Sequence, residues 1–480
     1  MQIHPLPPNV SILECLRILR DKANAWNAFK LNVTKSLRVT LSFNPSTTSV
    51  THQQLFFSSL GRLSSRIINL RGCESATTVD QSSDHDIHAS FDPTGSAIFM
   101  DEMQDLMIIV NLPRGSPTYQ LNFLTISTNK EHPLAYKSRV ELTYRVPCDE
   151  IPKSFRVAIL GDRIAIYSDV KLDNYPYWSL YVWNWCEGDQ HDVGCLVQPT
   201  AQRFDWSVSK DVYVLDDDYT LFDIRFLTKE KLLAVTSRSH IELYNVDNLS
   251  TAPQLQARFI LPVTPQSLFL AFPSVYHSTW SCAHFAAQDE RWIWTTISAD
   301  RVICCMSYSP MSIFVISARL FCMDIPPTWF DRNSYDGLAV PWSSWGPQNS
   351  RCFLQHSNLP FGVGGSRIIR TVVDDGPWVR MHMTDFNPSA VARGIGKVVR
   401  EPTTFPVSMS SFTEDVTTYL PYVEVVNDRR FPRLIDRVIL DEERVLMFTS
   451  TRVGTTVGAL SAVDIMKLTI SLSRRWWISR

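Results

Sequence analysis

The chain has 480 residues, 45% hydrophobic, 11% aromatic and 20% charged, with 46 Lys and Arg against 48 Asp and Glu. A formal net charge of -2 with the signs interspersed supplies neither a basic face for nucleic acid nor one for an anionic membrane, so both are disfavoured partners. Pro outnumbers Gly 28 to 17, beside 14 Trp, a balance that favours strands and turns over helices.

At the N-terminus, Met1-Gln2-Ile3-His4-Pro5 has no basic region followed by an apolar core, which argues against a cleaved secretion signal. The ten cysteines contain no CxxC and no regular spacing, as expected for reduced, buried thiols in the cytoplasm or nucleus. Next comes an amphipathic helix, predicted from Ile12 to about Leu31. Ser11 and Glu14 form an S-x-x-E capping box, and Ile12, Leu16, Leu19, Ala23 and Trp26 fall on one face. That stripe either docks on the rest of the protein or is offered to a partner helix.

From Leu37 onward, short apolar runs alternate with charged or Gly-containing turns. The pattern recurs at Phe91-Asp92-Pro93 before Ala97, at Gly161-Asp162 between Val157–Leu160 and Ile164–Tyr167, and at Lys229-Glu230-Lys231 between Ile224–Leu227 and Leu232–Val235. It returns at Asp300-Arg301 before Val302, at Asp374-Asp375-Gly376, and at Asp441-Glu442-Glu443 before Val445. These turns stand about 70 residues apart, although the first unit could equally be phased on Gln104-Asp105. A repeated antiparallel sheet buries both faces by stacking on its neighbours, and radial closure removes exposed edges. The expected fold is therefore all-β: a WD-repeat-like β-propeller of six to eight blades with a short N-terminal α-helix, the helix at 1–34 and the propeller at 35–480. Tandem β-sandwiches are the structural rival. Within this body Val302 to Ala318 is uncharged but carries Pro310 and four serines, so it reads as a buried hairpin turning at Ser309-Pro310 and not as a membrane span.

Chemistry is sparse. The chain contains no G-x-x-x-x-G-K-[ST], H-E-x-x-H or G-x-S-x-G motif and no pair of CxxC motifs. Gly362-Val363-Gly364-Gly365-Ser366 precedes a strand-like Ile368-Ile369 and reads as a hairpin turn. Asp189, His191, Asp192 and Cys195 lack the spacing of a zinc site, and Asp216-Asp217-Asp218 lacks the Gly and Glu of a calcium loop. His85, His88, His277 and His284 have no paired nucleophile or orienting carboxylate in the sequence. No catalytic residue, metal or cofactor is expected. Trp342 and Trp345, in Val340-Pro341-Trp342-Ser343-Ser344-Trp345-Gly346-Pro347, and Trp378 lie in Pro- and Gly-bounded segments. Each either packs over a blade edge or serves as a protein-binding hot spot, where Trp is enriched.

Several blocks resemble one family. They are Glu14-Cys15-Leu16-Arg17-Ile18-Leu19-Arg20-Asp21 to Ala25-Trp26-Asn27-Ala28-Phe29, Leu121 to Asn129 with His132-Pro133-Leu134-Ala135, Leu180-Tyr181-Val182-Trp183-Asn184-Trp185, the Val340 to Pro347 segment, and Leu434 to Phe448. Together they look like the F-box proteins that mushroom-forming basidiomycete fungi carry in large families. The resemblance implies a modular receptor: an F-box that binds the Skp adaptor of a cullin-based ubiquitin ligase, followed by a propeller-like domain that holds the target. In the family the F-box precedes the Trp26-type helix. Here about ten residues stand before that helix, so the F-box is expected to be missing or truncated. Leu16, Leu19 and Trp26 are the candidates on the adaptor side. The function expected is a non-enzymatic protein-interaction domain related to F-box substrate receptors. The alternatives are a scaffold uncoupled from ubiquitination and a propeller hydrolase with a site in its central channel, which would need His, Asp or Glu converging from several blades.

Overall fold

A computed structural model describes residues 2–4, 11–38, 49–50, 54–58, 65–69, 85–87, 96–101, 104–111, 118–143, 154–172, 175–187, 194–199, 221–236, 238–264, 268–271, 293–308, 311–332, 334, 337–355, 359–374, 376–408, 412–440, 444–450 and 460–468. Its strands form seven antiparallel sheets of four or five strands, in which neighbours in sequence are neighbours in the sheet. Numbered along the chain, blade one spans 49–87, blade two 96–143, blade three 154–199, blade four 221–260, blade five 268–354 and blade six 361–432. Blade seven joins 435–468 to the strand Leu31–Arg38. This is a β-propeller with one substantial N-terminal helix, α1 (Ile12–Ala28).

The alternation along single strands explains why the sheets stack. In blade three, Ile164 and Ile166 enter the core shared with blade two, while Ala165 and Tyr167 enter the core shared with blade four. In blade five, Ile303 and Cys305 face blade four, and Val302 and Cys304 face blade six. In blade six, Ile368 faces blade five and Ile369 faces blade seven. Successive side chains of a strand point to opposite faces, so a strand apolar at every position is stable only between two other sheets. Each such Val, Leu or Ile contributes about 1.5–3 kcal/mol when fully buried.

Ring closure joins segments far apart in sequence. Leu31–Arg38 runs antiparallel to Leu460–Leu468, with Leu31 opposite Leu468 and Arg38 opposite Ala462. The boundary expected between residues 34 and 35 falls inside this strand, and the propeller's hydrogen bonding begins at Leu31.

The predicted turns are placed with one change of phase. Strands Ser154–Leu160 and Arg163–Leu172 meet at Gly161-Asp162, and Val302–Tyr308 pairs with Met311–Ser317 so that Tyr308 faces Met311, giving the hairpin expected at 309–310. Gly362–Ser366 is a hairpin turn in which Gly364 faces Arg367 and Gly365 takes φ 56°, a left-handed conformation that costs glycine little. Gly365-Ser366 is therefore the first turn of blade six, and Asp374 to Gly376 is its second, so the anchor at 375 lies one hairpin out of phase with the others. In blade two the turn is at Gln104-Asp105, while 91–95 lies outside the described residues. No helix among the described residues is long and apolar enough to cross a membrane.

Candidate protein-interaction surface

Helix α1 starts as its sequence dictates. Ser11 is extended (φ -69°, ψ 148°), and its hydroxyl accepts from the Glu14 N–H at 3.2 Å. The reciprocal half of the capping box is replaced: the Glu14 carboxylate accepts from Arg17 Nε and Nη2 at 2.8 and 2.6 Å, and that hydrogen bond holds its carboxyl below the usual range. The helix ends at Phe29, which adopts the left-handed conformation (φ 43°) and donates its N–H to the carbonyls of Ala25 and Trp26. A non-glycine residue there costs roughly 1–2 kcal/mol. Complete burial of the Phe29 ring, stacked on Trp26 at 6.5 Å, offsets it.

The C-terminal half of α1 is clamped to blade six. Trp26 is 1% exposed, and the Arg367 guanidinium sits 4.7 Å from its ring centroid. Arg367 is itself fixed by a 2.9 Å ion pair with Asp385, whose second oxygen accepts from Ser366 Oγ and from the Asn387 N–H. Asn427 donates its side-chain amide to the Phe29 carbonyl. Trp26, Phe29 and Leu31 complete the core between blades six and seven.

The N-terminal half stands clear of this contact. The buried face runs through Cys15, Ala25, Trp26 and Phe29, with Leu19 and Ala23 half-buried, so the stripe predicted from the sequence is rotated. Ile12, Leu13 and Leu16 are 71%, 78% and 57% exposed. The row Ile12, Leu16, Arg20, Asn24 and Ala28, spaced by four residues, is exposed throughout, with Arg17 beside it. Of the adaptor-side candidates, Leu16 is presented to solvent, Leu19 is partly covered and Trp26 is internal. Leu13, which the stripe omitted, belongs to the exposed set. Its signal was the adjacent apolar pair Ile12-Leu13 ahead of a helix that needs only one apolar face.

Two of the tryptophan candidates lie in the core instead of on a binding surface. Pro341 is extended (ψ 150°) and opens a second helix, α2 (Trp342–Asn349), where a loop was expected. Trp342 and Trp345 are 3% and 0% exposed and meet edge-to-face at 4.9 Å. Trp342 also packs on Phe314 at 5.7 Å and Trp345 on Phe259 at 5.5 Å, filling the space between blades four and five. The intervening Gly346 makes this possible, since a Cβ there would fall 2.2 Å from the Trp342 ring. Trp378 is different. It opens the strand Trp378–Asp385 of blade six and is 41% exposed.

Among the described residues, no group of three or more His, Cys, Asp or Glu is placed to hold a metal. Asp189, His191, Asp192, Asp216 to Asp218, His88, His277 and His284 lie outside those residues, as do the side chains of His85 and Cys195. Cys304, Cys305 and Cys352 are buried free thiols.

No protein-family model matches the chain, and no curated protein does. Among solved structures, it is similar to the β-propeller domain of Myceliophteria thermophila Cps50 (Swd1), with 12% identity and a TM-score of 0.39 over 90% of this chain and 99% of that one. The WD40 β-propeller domain of Doa1 gives 10% identity and a TM-score of 0.37, covering 92% of this chain and 97% of that one. Saccharomyces cerevisiae Sqt1 gives 8% identity and a TM-score of 0.39, covering 91% and 88%.

Proposed function

We propose that this chain is a non-enzymatic protein-interaction propeller, related to F-box substrate receptors, whose α1 presents its free end to the Skp adaptor of a cullin-based ubiquitin ligase. The observation that carries the reading is the contrast along α1. Its C-terminal half is locked into blades six and seven, while Ile12, Leu13 and Leu16 stand in solvent. A rigidly held helix with an uncovered apolar end suits a partner helix, because little conformational entropy is lost when it docks. Arg17 and Arg20 beside the apolar residues add a polar rim.

The test is affinity purification of the tagged chain from extract of a mushroom-forming fungus, with the wild type compared against Leu13→Asp/Leu16→Asp. Skp adaptor and cullin in the wild-type eluate and their loss from the variant are expected. Adaptor retained by the variant would remove α1 from the contact. Other proteins bound with no adaptor would leave a scaffold uncoupled from ubiquitination.

A further inference from the structure

A second surface, independent of α1, lies on blade six. Strands Arg367–Val373, Trp378–Asp385 and Tyr422–Pro432 pair so that Arg370 faces His382, Val372 faces Arg380, Arg380 faces Arg430 and Trp378 faces Pro432. Alternate residues share a face. Val379, Met381, Met383 and Phe431 fill the core toward blade seven, which leaves Trp378, Arg380, His382 and Arg430 on the face toward blade five.

Cover on that face is uneven. Near the ring, Arg370 stacks over Phe353 of blade five at 4.0 Å, and Glu424 accepts from both Arg370 and His382, at 3.5 and 3.1 Å. Toward the turn the cover ends: Trp378 is 41% and Val426 39% exposed. Here Arg380 and Arg430 both place Nε on the same atom, Asp374 Oδ2, at 2.8 and 2.7 Å, and their side chains stay 37% and 46% accessible. One carboxylate between two guanidiniums leaves a surplus positive charge held in fixed geometry. The neighbouring exposed Arg429 and Arg433 are matched in number by exposed Asp428 and Asp436, so the surplus rests with the Arg380–Arg430 pair; Asp375 lies outside the described residues. The Arg433 N–H donates to the Pro377 carbonyl at 2.9 Å, which ties the link into blade seven to this turn and sets the patch at the end of the blade where both connections lie.

We propose that this face is a docking surface for an acidic segment of another protein, with a carboxylate seated at Arg380 and Arg430 and an adjacent aromatic or aliphatic side chain against Trp378 and Val426. Charge complementarity selects the occupant. Guanidinium forks prefer planar carboxylates, and Trp with Arg is the pairing in which interface energy concentrates. Val426 and the indole exclude a purely hydrated counter-ion as the best fit.

The test uses the full chain and fluorescence anisotropy with a labelled short peptide of alternating Glu and Tyr, a Lys-for-Glu control peptide and a single-stranded oligonucleotide of equal charge. Wild type should bind the acidic peptide, more weakly as salt rises, and should ignore the Lys peptide. Trp378→Ser and Arg380→Gln/Arg430→Gln should each weaken binding about tenfold or more. Should the double variant lose its fold by circular dichroism, Trp378→Ser and Arg430→Gln alone decide the matter. No binding of the acidic peptide, equal binding of the Lys peptide, or undiminished binding by the folded variants overturns the proposal. An oligonucleotide that binds as tightly through the same residues also overturns it, because the surface would then be a general polyanion site.

Discussion

The Arg367 guanidinium lies 4.7 Å from the Trp26 indole centroid while its Nε holds Asp385 at 2.9 Å, so one buried side chain joins the N-terminal helix to the second strand of blade six. Because α1 leads directly into Leu31–Arg38, which closes the ring, this contact fixes the entry to the closing strand. Trp26→Ala should lower stability by about 3–5 kcal/mol through the cavity it leaves. Denaturant melts of Trp26→Ala, Arg367→Gln and the double variant form a cycle whose coupling energy should be about 0.5–2 kcal/mol, the range for a desolvated cation–π pair. A coupling near zero would show that Arg367 serves Asp385 alone.

Leu13→Asp and Leu16→Asp should behave oppositely to Trp26→Ala. Both positions are more than half exposed, so the melting midpoint should move by no more than about 0.5 kcal/mol equivalent. Partner capture should fall. A marked loss of stability would mean these side chains are covered within the chain itself.

Gly346 is a packing position. A methyl group there meets the Trp342 indole at 2.2 Å, and Trp342 is held in turn by Phe314 and Trp345. Gly346→Ala should cost about 1–3 kcal/mol from overpacking and should disturb the near-ultraviolet tryptophan signal. An unperturbed melt would show that the core between blades four and five yields easily.

Thiol reactivity should follow burial. Burial pushes Cys304, Cys305 and Cys352 well above the ordinary thiol value, and burial reinforced by Asp162 pushes Cys186 up to about 12. A raised thiol value means the fold favours the protonated form, so this contribution to stability is complete below the ordinary value of 9.0 and is lost as pH rises toward about 12 for Cys186. Alkylation of native protein at about pH 8.5, read by peptide mass spectrometry, should spare all four until denaturant is added. Rapid native labelling of Cys305 would contradict its placement.

Glu424 gives the acid counterpart. The hydrogen bond from His382, joined by the charges of His382 and Arg370, holds its carboxyl below the usual value against the opposing effect of burial. Its stabilisation is present above the unfolded carboxylate value and disappears as pH falls through the folded one. Glu424→Gln should therefore be less stable than wild type at neutral pH, and the gap in thermal midpoint should narrow on acidification. A gap that stays constant with pH would mean the carboxylate charge is not what matters there.

Local chemistry sufficed for much of this molecule. Apolar runs two residues out of phase with their turns predicted the strands around Gly161-Asp162, 309–310 and Gly365-Ser366, and Ser11 predicted the start of α1, because hairpins and caps are decided within a few residues. Repetition of such units predicted a propeller, since sheets apolar on both faces must stack. Three things waited for the tertiary structure, each resting on contacts remote in sequence. The face of α1 that is buried was set by Arg367 and Asn427, more than half the chain away, which turned Ile12 and Leu16 outward. Trp342 and Trp345 shared with Trp378 the same Pro- and Gly-bounded surroundings, yet Phe259 and Phe314 from two neighbouring sheets enclosed the first two, and no sheet covered the third. The surplus charge on blade six arose only when strand register brought Arg380 and Arg430 onto one carboxylate. Composition and periodicity are properties of neighbours along the chain; which surfaces stay open is a property of neighbours across it.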